Sequence, residues 1–204
     1  MKAGQIMAKK LYFKYGTMGS SKTAQALITK FNYEEKGMKV WLIKPQLDNR
    51  DGDDILRSRI GLTAKAYVVK QDESLWQSFN ELAENVDVII ADEAQFFQKK
   101  QIEDLRDIVS FKNVPVLCFG LRTDFRMETF EGSKRLLELA DSIEEIKTIC
   151  ECGAKAIVNA RLNEQGQVIT EGEQIMLGGN DRYVALCYKC WRKKIMKREE
   201  QKTD

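Results

Sequence analysis

An α/β fold built on a parallel sheet, with a small cysteine-bearing appendage, is predicted by three features of the 204-residue chain. Short apolar runs alternate with amphipathic stretches at strand–helix–strand spacing, which implies parallel strands joined by right-handed crossovers. A Gly-Ser turn joins the first such strand to the first helix. Two close cysteine pairs, Cys150/Cys152 and Cys187/Cys190, bracket most of the last quarter. The expected organisation is an α/β body over residues 1–149 and an appendage with a charged tail over 150–204.

Composition narrows the classes. Charged residues make up 31% and hydrophobic residues 43%, an ordinary soluble profile. A net charge of +2 gives no strong basic field, so nucleic acid is not an expected partner. No apolar run approaches the ~20 residues of a membrane span, and MKAGQIMAKK has no apolar secretory core. No membrane partner and a cytoplasmic location are therefore expected. The chain has no His, so acid–base chemistry must fall to Asp, Glu, Cys, Tyr or Lys.

The first strand is Leu11 to Tyr15, stopped at Gly16. Lys22 to Lys36 reads as an amphipathic helix with Ala26, Leu27, Ile28 and Phe31 on one flank, ended at Gly37. Val40 to Ile43 is a buried strand, completing one βαβ unit. Between strand and helix lies Gly16-Thr17-Met18-Gly19-Ser20-Ser21-Lys22-Thr23. This is a phosphate-binding loop, G-x-x-x-x-G-K-[ST], with Ser21 where the second Gly belongs. Inward N–H groups and the positive helix end suit an anion. Lys22 would neutralise phosphate, and the Thr23 hydroxyl would ligate Mg²⁺.

Lys44 to Gly61 reads as a charged loop. It leaves the C-terminal end of a strand, where ligands of open α/β sheets sit, so Asp48 and Arg50 are candidates for phosphate contact. Ala66 to Val69 is a strand. Ser74 to Glu84 is a capped helix with Leu75, Phe79 and Leu82 inward. Val86 to Glu93 is an apolar strand ending in Asp92 and Glu93. Such a strand, 70 residues beyond Lys22, matches the acidic strand that holds Mg²⁺ opposite a phosphate loop. Glu93 then becomes the natural base. Gln98 to Phe111 is a helix with Ile102, Leu105, Ile108 and Val109 inward. Val114 to Gly120 is a central strand. Leu121 to Phe130 is a loop whose two Phe must pack on a core or a ligand. Glu131 to Leu139 is a helix, and Ser142 to Ile149 begins another strand.

Four thiolates in two pairs suit a tetrahedral Zn²⁺ site, although C-x-C is tighter than the usual opening pair. The segment between the pairs is too short and polar to build a core of its own. Arg161 to Thr170 reads as a hairpin turning at Gln165-Gly166. Glu171 to Tyr183 is Gly-rich, and pinned ends would let it close over a ligand.

The ordered set, a phosphate loop carrying Met18, DEAQFF at 92–97, LRTDF at 121–125, a Cys pair, GGNDRY at 178–183 and C-x₂-C, resembles the type II, zinc-containing thymidine kinases over residues 10–192. The resemblance implies a nucleoside triphosphate-binding P-loop fold with a zinc-ribbon-like subdomain carrying a lasso loop. It implies transfer of the ATP γ-phosphate to the 5′-hydroxyl of thymidine or deoxyuridine, with Glu93 as base. Gly16 to Thr23, Asp48 and Arg50 would serve the phosphates, and Thr23 and Asp92 the Mg²⁺. Met18, Gln95, Leu121, Phe125, Phe130, Gln174, Ile175, Met176 and Tyr183 would meet the nucleoside. Structural Zn²⁺ on Cys150, Cys152, Cys187 and Cys190, a homotetramer and inhibition by dTTP complete the expectation. A P-loop module that binds nucleotide or nucleic acid through its zinc ribbon with little kinase turnover, and a nucleoside-independent ATPase, are the competing readings of the residues.

Overall fold

The computed structural model describes residues 9–48, 52, 54–83, 85–175 and 182–203. Its centre is a six-stranded, all-parallel sheet of β1 (Leu11–Tyr15), β2 (Val40–Pro45), β5 (Tyr67–Val69), β6 (Val88–Ala91), β7 (Val116–Gly120) and β8 (Ser142–Glu145). The spatial order is β5-β2-β6-β7-β1-β8. β1 therefore sits between β7 and β8, and the chain must cross over two strands to reach β2. That break in order leaves a crevice at the strands' carboxyl ends.

Alternation along the strands explains the layers. Leu11, Phe13, Ile43, Ile89, Ala91, Val116 and Cys118 point into one core. The helices α2 (Leu75–Leu82), α3 (Lys99–Asp107) and α4 (Glu131–Leu139) cover that face with Leu75, Phe79, Ile102, Leu105 and Leu136. Leu42, Val88, Ile90, Leu117 and Phe119 point to the other face, where α1 (Lys22–Glu34) supplies Ala26 and Leu27. A hairpin of β3 (Ile55–Arg57) and β4 (Thr63–Lys65), inside the stretch expected to be loop or just beyond it, adds Leu56 to this second core.

Three expected core positions, Ile28, Phe31 and Leu82, are not inward. Ile28 and Phe31 are 46% and 60% exposed. The buried line of α1 runs from Ala26 to Tyr33. At about 100° per residue, Phe31 lies about 140° and Ile28 about 200° around from Ala26. On α2 the buried line is Leu75, Phe79 and Ala83, and Leu82, the last helical residue, is exposed. After α3, Ile108–Lys112 winds as a π-turn that keeps Ile108 and Val109 buried.

Residues beyond 150 form a second, antiparallel sheet of β9 (Val158–Leu162), β10 (Val168–Ile169) and β11 (Tyr183–Leu186), in the order β10-β9-β11. The helix α5 (Tyr188–Thr203) packs on it. Contrary to the expectation from length and polarity, this part has a small core: Cys150, Ala156, Ala160, Val168, Leu186, Cys187 and Ile195 are buried together.

Candidate active site

β1 delivers the chain to the loop at Gly16, whose N–H donates to the Gly120 carbonyl at the end of β7 (3.2 Å). The loop then turns tightly, with Gly19 at φ 78°. Ser21, the residue in place of the expected Gly, adopts φ 65°, ψ 25° and opens α1 without a side-chain cap bond. The first turn of α1 contains no acidic residue, so its positive end remains available to an anion. Lys22 is buried and its Nζ donates to the Thr17 carbonyl (2.8 Å). The Thr17 hydroxyl is buried without a hydrogen-bond partner.

Across the sheet, Asp92 follows β6 and is 1% exposed. Thr23 Oγ1 donates to Asp92 Oδ2 (2.8 Å), which joins the start of α1 to the acidic strand. The other oxygen, Asp92 Oδ1, is buried with no partner. Burial, then the neighbouring Glu93 charge, pushes the Asp92 carboxyl up to about 7, against the opposing pull of Thr23 and Lys22. A buried carboxylate with an orphan oxygen beside a hydroxyl fits a hard cation such as Mg²⁺, whose ligands are oxygens.

Glu93 is half-buried and held at φ 49°, ψ 37°, a left-handed conformation uncommon for a side chain of its size. Gln95 fixes it: Nε2 donates to Glu93 Oε2 (2.5 Å), while Oε1 accepts from the Leu121 N–H (2.9 Å). Gly120 makes this bridge possible, because a Cβ there would lie 2.8 Å from Gln95 Oε1. The same bridge orders the loop after β7. Leu121, Phe125 and Phe130 are all buried, and Phe130 meets Phe96 edge-on (5.6 Å).

The small sheet closes on this wall through β9. Asn159 Oδ1 accepts from the Met18 N–H (2.7 Å), and Asn159 Nδ2 donates to the Thr123 carbonyl (2.8 Å). Two residues on, the Arg161 guanidinium stacks 3.8 Å over Phe125. Its Nε donates to the Tyr183 hydroxyl (2.7 Å), and its remaining nitrogens donate to the Glu173 and Gln174 carbonyls. Gln174 Nε2 in turn donates to Asp124 Oδ2 (3.1 Å). Thus Met18, Leu121, Phe125, Phe130, Gln174 and Tyr183 converge on one region. Ile175 is 38% exposed at its margin. Asp48 is buried in the turn that follows β2, its N–H donating to the Pro45 carbonyl (3.0 Å). Arg50 and Met176 lie outside the described residues.

Asn159 and Arg161 carry contacts that the sequence reading did not assign. Both are 2% exposed. The available signal was the period-2 pattern Val158-Asn-Ala-Arg-Leu162, whose polar positions share one face. In an isolated hairpin that face would be solvated; here it is buried against the phosphate loop and the Phe125 loop.

All four cysteine sulfurs lie within 4.8 Å of one another, with Cys152 Sγ and Cys187 Sγ 3.7 Å apart. Tetrahedral Zn²⁺ with bonds near 2.3 Å would set sulfurs about 3.8 Å apart, so the short C-x-C pair places both of its sulfurs in the cluster. Burial raises the Cys150 thiol, but backbone hydrogen bonds from Cys152 and Cys187, together with side-chain hydrogen bonding to Cys152 and Cys190, bring it down to about 7. Hydrogen bonding with Cys152 and Cys187 pushes Cys190 up to about 12. Four adjoining thiols cannot all ionise without a cation among them, and the donor set suits zinc.

A parallel sheet, a phosphate loop and a facing acidic pair define a P-loop nucleoside triphosphate-binding protein. The family model described as thymidine kinase matches residues 9–191. A thymidine kinase of Haemophilus influenzae is 46% identical over 180 residues, covering 87% of this chain and 93% of that protein. One from Coxiella burnetii is 45% identical over 186 residues, covering 90% and 95%. One from Zymomonas mobilis is 45% identical over 180 residues, covering 87% and 93%. The chain belongs to the thymidine kinase family, and its cysteine cluster agrees with the zinc-containing type II branch that its motifs resemble.

Proposed function

We propose that this chain transfers the γ-phosphate of ATP to the 5′-hydroxyl of thymidine or deoxyuridine, a salvage step supplying DNA synthesis. The observation that carries the reading is the joining of two sites at Met18. This residue belongs to the phosphate loop, yet its N–H is held by Asn159 against the aromatic wall. A donor phosphate and a nucleoside hydroxyl would meet there.

The division of labour follows from the residues. Gly16 to Thr23 cradles the donor phosphates, with Lys22 as the cation, and Asp48 and Arg50 assist. Thr23 and Asp92 hold Mg²⁺, which when bound would neutralise charge on the β- and γ-oxygens. Glu93, oriented by Gln95, accepts the hydroxyl proton. Leu121, Phe125, Phe130 and Tyr183 wall the base, and Gln174 to Met176 close over it. Apolar walls with few fixed polar groups suit a small flat ligand. Zn²⁺ on the four cysteines keeps residues 150–204 folded as a unit distinct from 1–149.

Because the phosphate loop and base wall adjoin, dTTP can fill both at once and inhibit. Assembly as a homotetramer would bury apolar side chains that the single chain exposes, Ile28 and Phe31 on α1 and Ile143 on the edge strand β8. Two self-complementary contacts generate a closed tetramer. Among the described residues no helix is long and apolar enough to cross a membrane, in keeping with a cytoplasmic enzyme.

The test is Glu93→Gln. A lost general base costs about 10²–10⁴ in rate, so kcat for thymidine should fall within that range while ATP still binds. Turnover within a few-fold of the parent would remove Glu93 from the role. ATP hydrolysis that ignores added thymidine would replace the kinase reading by an ATPase.

A further inference from the structure

We propose that Arg59 contacts the phosphoryl groups of the donor held by residues 16–23, as a second cation beside Lys22; this rests on the phosphotransfer reading above. Arg59 sits in the turn of the β3–β4 hairpin, and the turn is fixed from several sides. At its base, the fully buried Lys44 donates from Nζ to the carbonyls of Ile55 (2.8 Å) and Gly52 (2.9 Å). On one strand, Leu56 is 2% exposed and packs in the core beneath α1. At the turn itself, the Ser58 N–H donates to the Leu62 carbonyl (2.8 Å), and the Leu62 N–H donates to Ser58 Oγ (2.9 Å). A short hairpin with one apolar anchor could otherwise swing freely. These bonds hold its tip.

The tip is held against the phosphate loop. A Cβ built on Gly19 would stand 3.6 Å from Arg59 Nη1, and among the described residues no other atom outside the loop comes as close. Gly19 and Arg59 are both exposed, so the guanidinium lies on the solvent side of the loop, from which a triphosphate would approach. Among the described residues no carboxylate forms an ion pair with Arg59, although acidic side chains elsewhere take up Lys65, Arg106, Arg126 and Arg135. An ordinary solvated Arg would account for the exposure. It would not account for a hairpin braced at base, strand and turn with its cation over the phosphate loop.

The chemistry needs such a group. A transferring phosphoryl spreads charge over three oxygens, and a planar guanidinium can engage two of them at once. Lys22 is a point charge already tied to the loop through the Thr17 carbonyl. An Arg supplied from the same chain stabilises the transition state of other P-loop enzymes.

The experiment compares Arg59→Ala and Arg59→Lys with the parent as full chains, varying ATP and thymidine separately and recording Tm. For Arg59→Ala, kcat/KM for ATP should fall about 10²–10³-fold, the scale of one lost charge-stabilising donor. KM for thymidine should stay within about twofold. Tm should be unchanged, since the side chain is exposed. Added guanidinium should restore part of the lost rate, and Arg59→Lys should lie between. Overturning results are a kcat/KM for ATP within about threefold of the parent, or equal loss for both substrates with lowered Tm and no rescue. Should the parent itself fail to phosphorylate thymidine, the fault lies in the function proposed above. Titration with a fluorescent ATP analogue then decides Arg59 alone: weaker binding to Arg59→Ala upholds the contact, and equal binding overturns it.

Discussion

Replacing Ser21 by glycine should stabilise the chain and leave the phosphate loop at least as good a nucleotide binder. Ser21 holds φ 65°, ψ 25°. There an L-residue's Cβ crowds the following carbonyl oxygen, at a cost of about 1–2 kcal/mol. The hydroxyl makes no capping bond and the side chain is exposed, so its removal leaves no partner unsatisfied. Glycine returns about 0.4–1 kcal/mol of freedom to the unfolded chain. The difference is a gain of roughly 0.5–1 kcal/mol, or about 1–4 °C in Tm for a chain of this size. The assays are thermal unfolding without ligand and titration with ATP. Ser21→Ala, which keeps the Cβ, should show none of the gain. A fall in Tm or a clear loss of ATP affinity in Ser21→Gly would refute the reasoning. It would mean that the serine contributes something to the loop that outweighs its strained backbone.

Asp92→Asn should flatten a pH dependence as well as stop catalysis. The carboxyl is raised to about 7, first by burial. The folded chain therefore keeps a proton that the unfolded chain releases above about pH 4, and stability declines as pH rises towards 7. Thermal melts of the ligand-free asparagine variant should lack that decline, and a parent-like slope would contradict the assignment. Mg²⁺ must displace the same proton, so its affinity should climb up to about tenfold per pH unit below 7 and level off above, as followed by calorimetry in two buffers. Metal analysis should find one zinc per chain. Chelation should lower Tm and raise KM for thymidine more than KM for ATP, since β9 loses its support; an unchanged thymidine KM would separate the cysteine cluster from the site.

Much of the body was legible because its signals are local. β1 and the loop after it follow from Leu11–Tyr15 meeting Gly16, and β6 from an apolar run ending in two acids. The inward positions of the stretch 98–111, Ile102 and Leu105 in α3 and Ile108 and Val109 in the π-turn after it, follow from helical spacing and are buried as expected. The failures are tertiary. Periodicity placed Phe31 within an apolar flank, but the sheet beneath α1 meets the line through Ala26 and Tyr33 instead. The β3–β4 hairpin was hidden because three-residue strands among charged residues carry almost no pattern, and its placement depends on Lys44 bonding to carbonyls eight and eleven residues away. The phosphate loop was legible as a motif. What Ser21 does to its backbone was not, because a dihedral angle leaves no trace in composition.

β9 is the strand whose surroundings differ most from its pattern. Its alternation reads as a hairpin with one wet face. The strand is instead buried on both faces: Val158 and Ala160 on one, Asn159 and Arg161 on the other, every one of them nearly inaccessible. Burying a guanidinium and an amide is costly unless their donors are satisfied. Here Asn159 binds the Met18 N–H and the Thr123 carbonyl, and Arg161 binds Tyr183, Glu173 and Gln174 while resting on Phe125. Asn159's partners are complete only when the phosphate loop and the Phe125 loop are in place, and Arg161's only when the Phe125 loop, Tyr183 and residues 173–174 are. The polar face of β9 therefore penalises partial assembly more than an apolar face would, because each missing element strands a buried donor or acceptor. Since β9 is paired to β11 between the two cysteine pairs, the cysteine cluster closes the unit whose strand β9 ties the phosphate loop to the Phe125 loop.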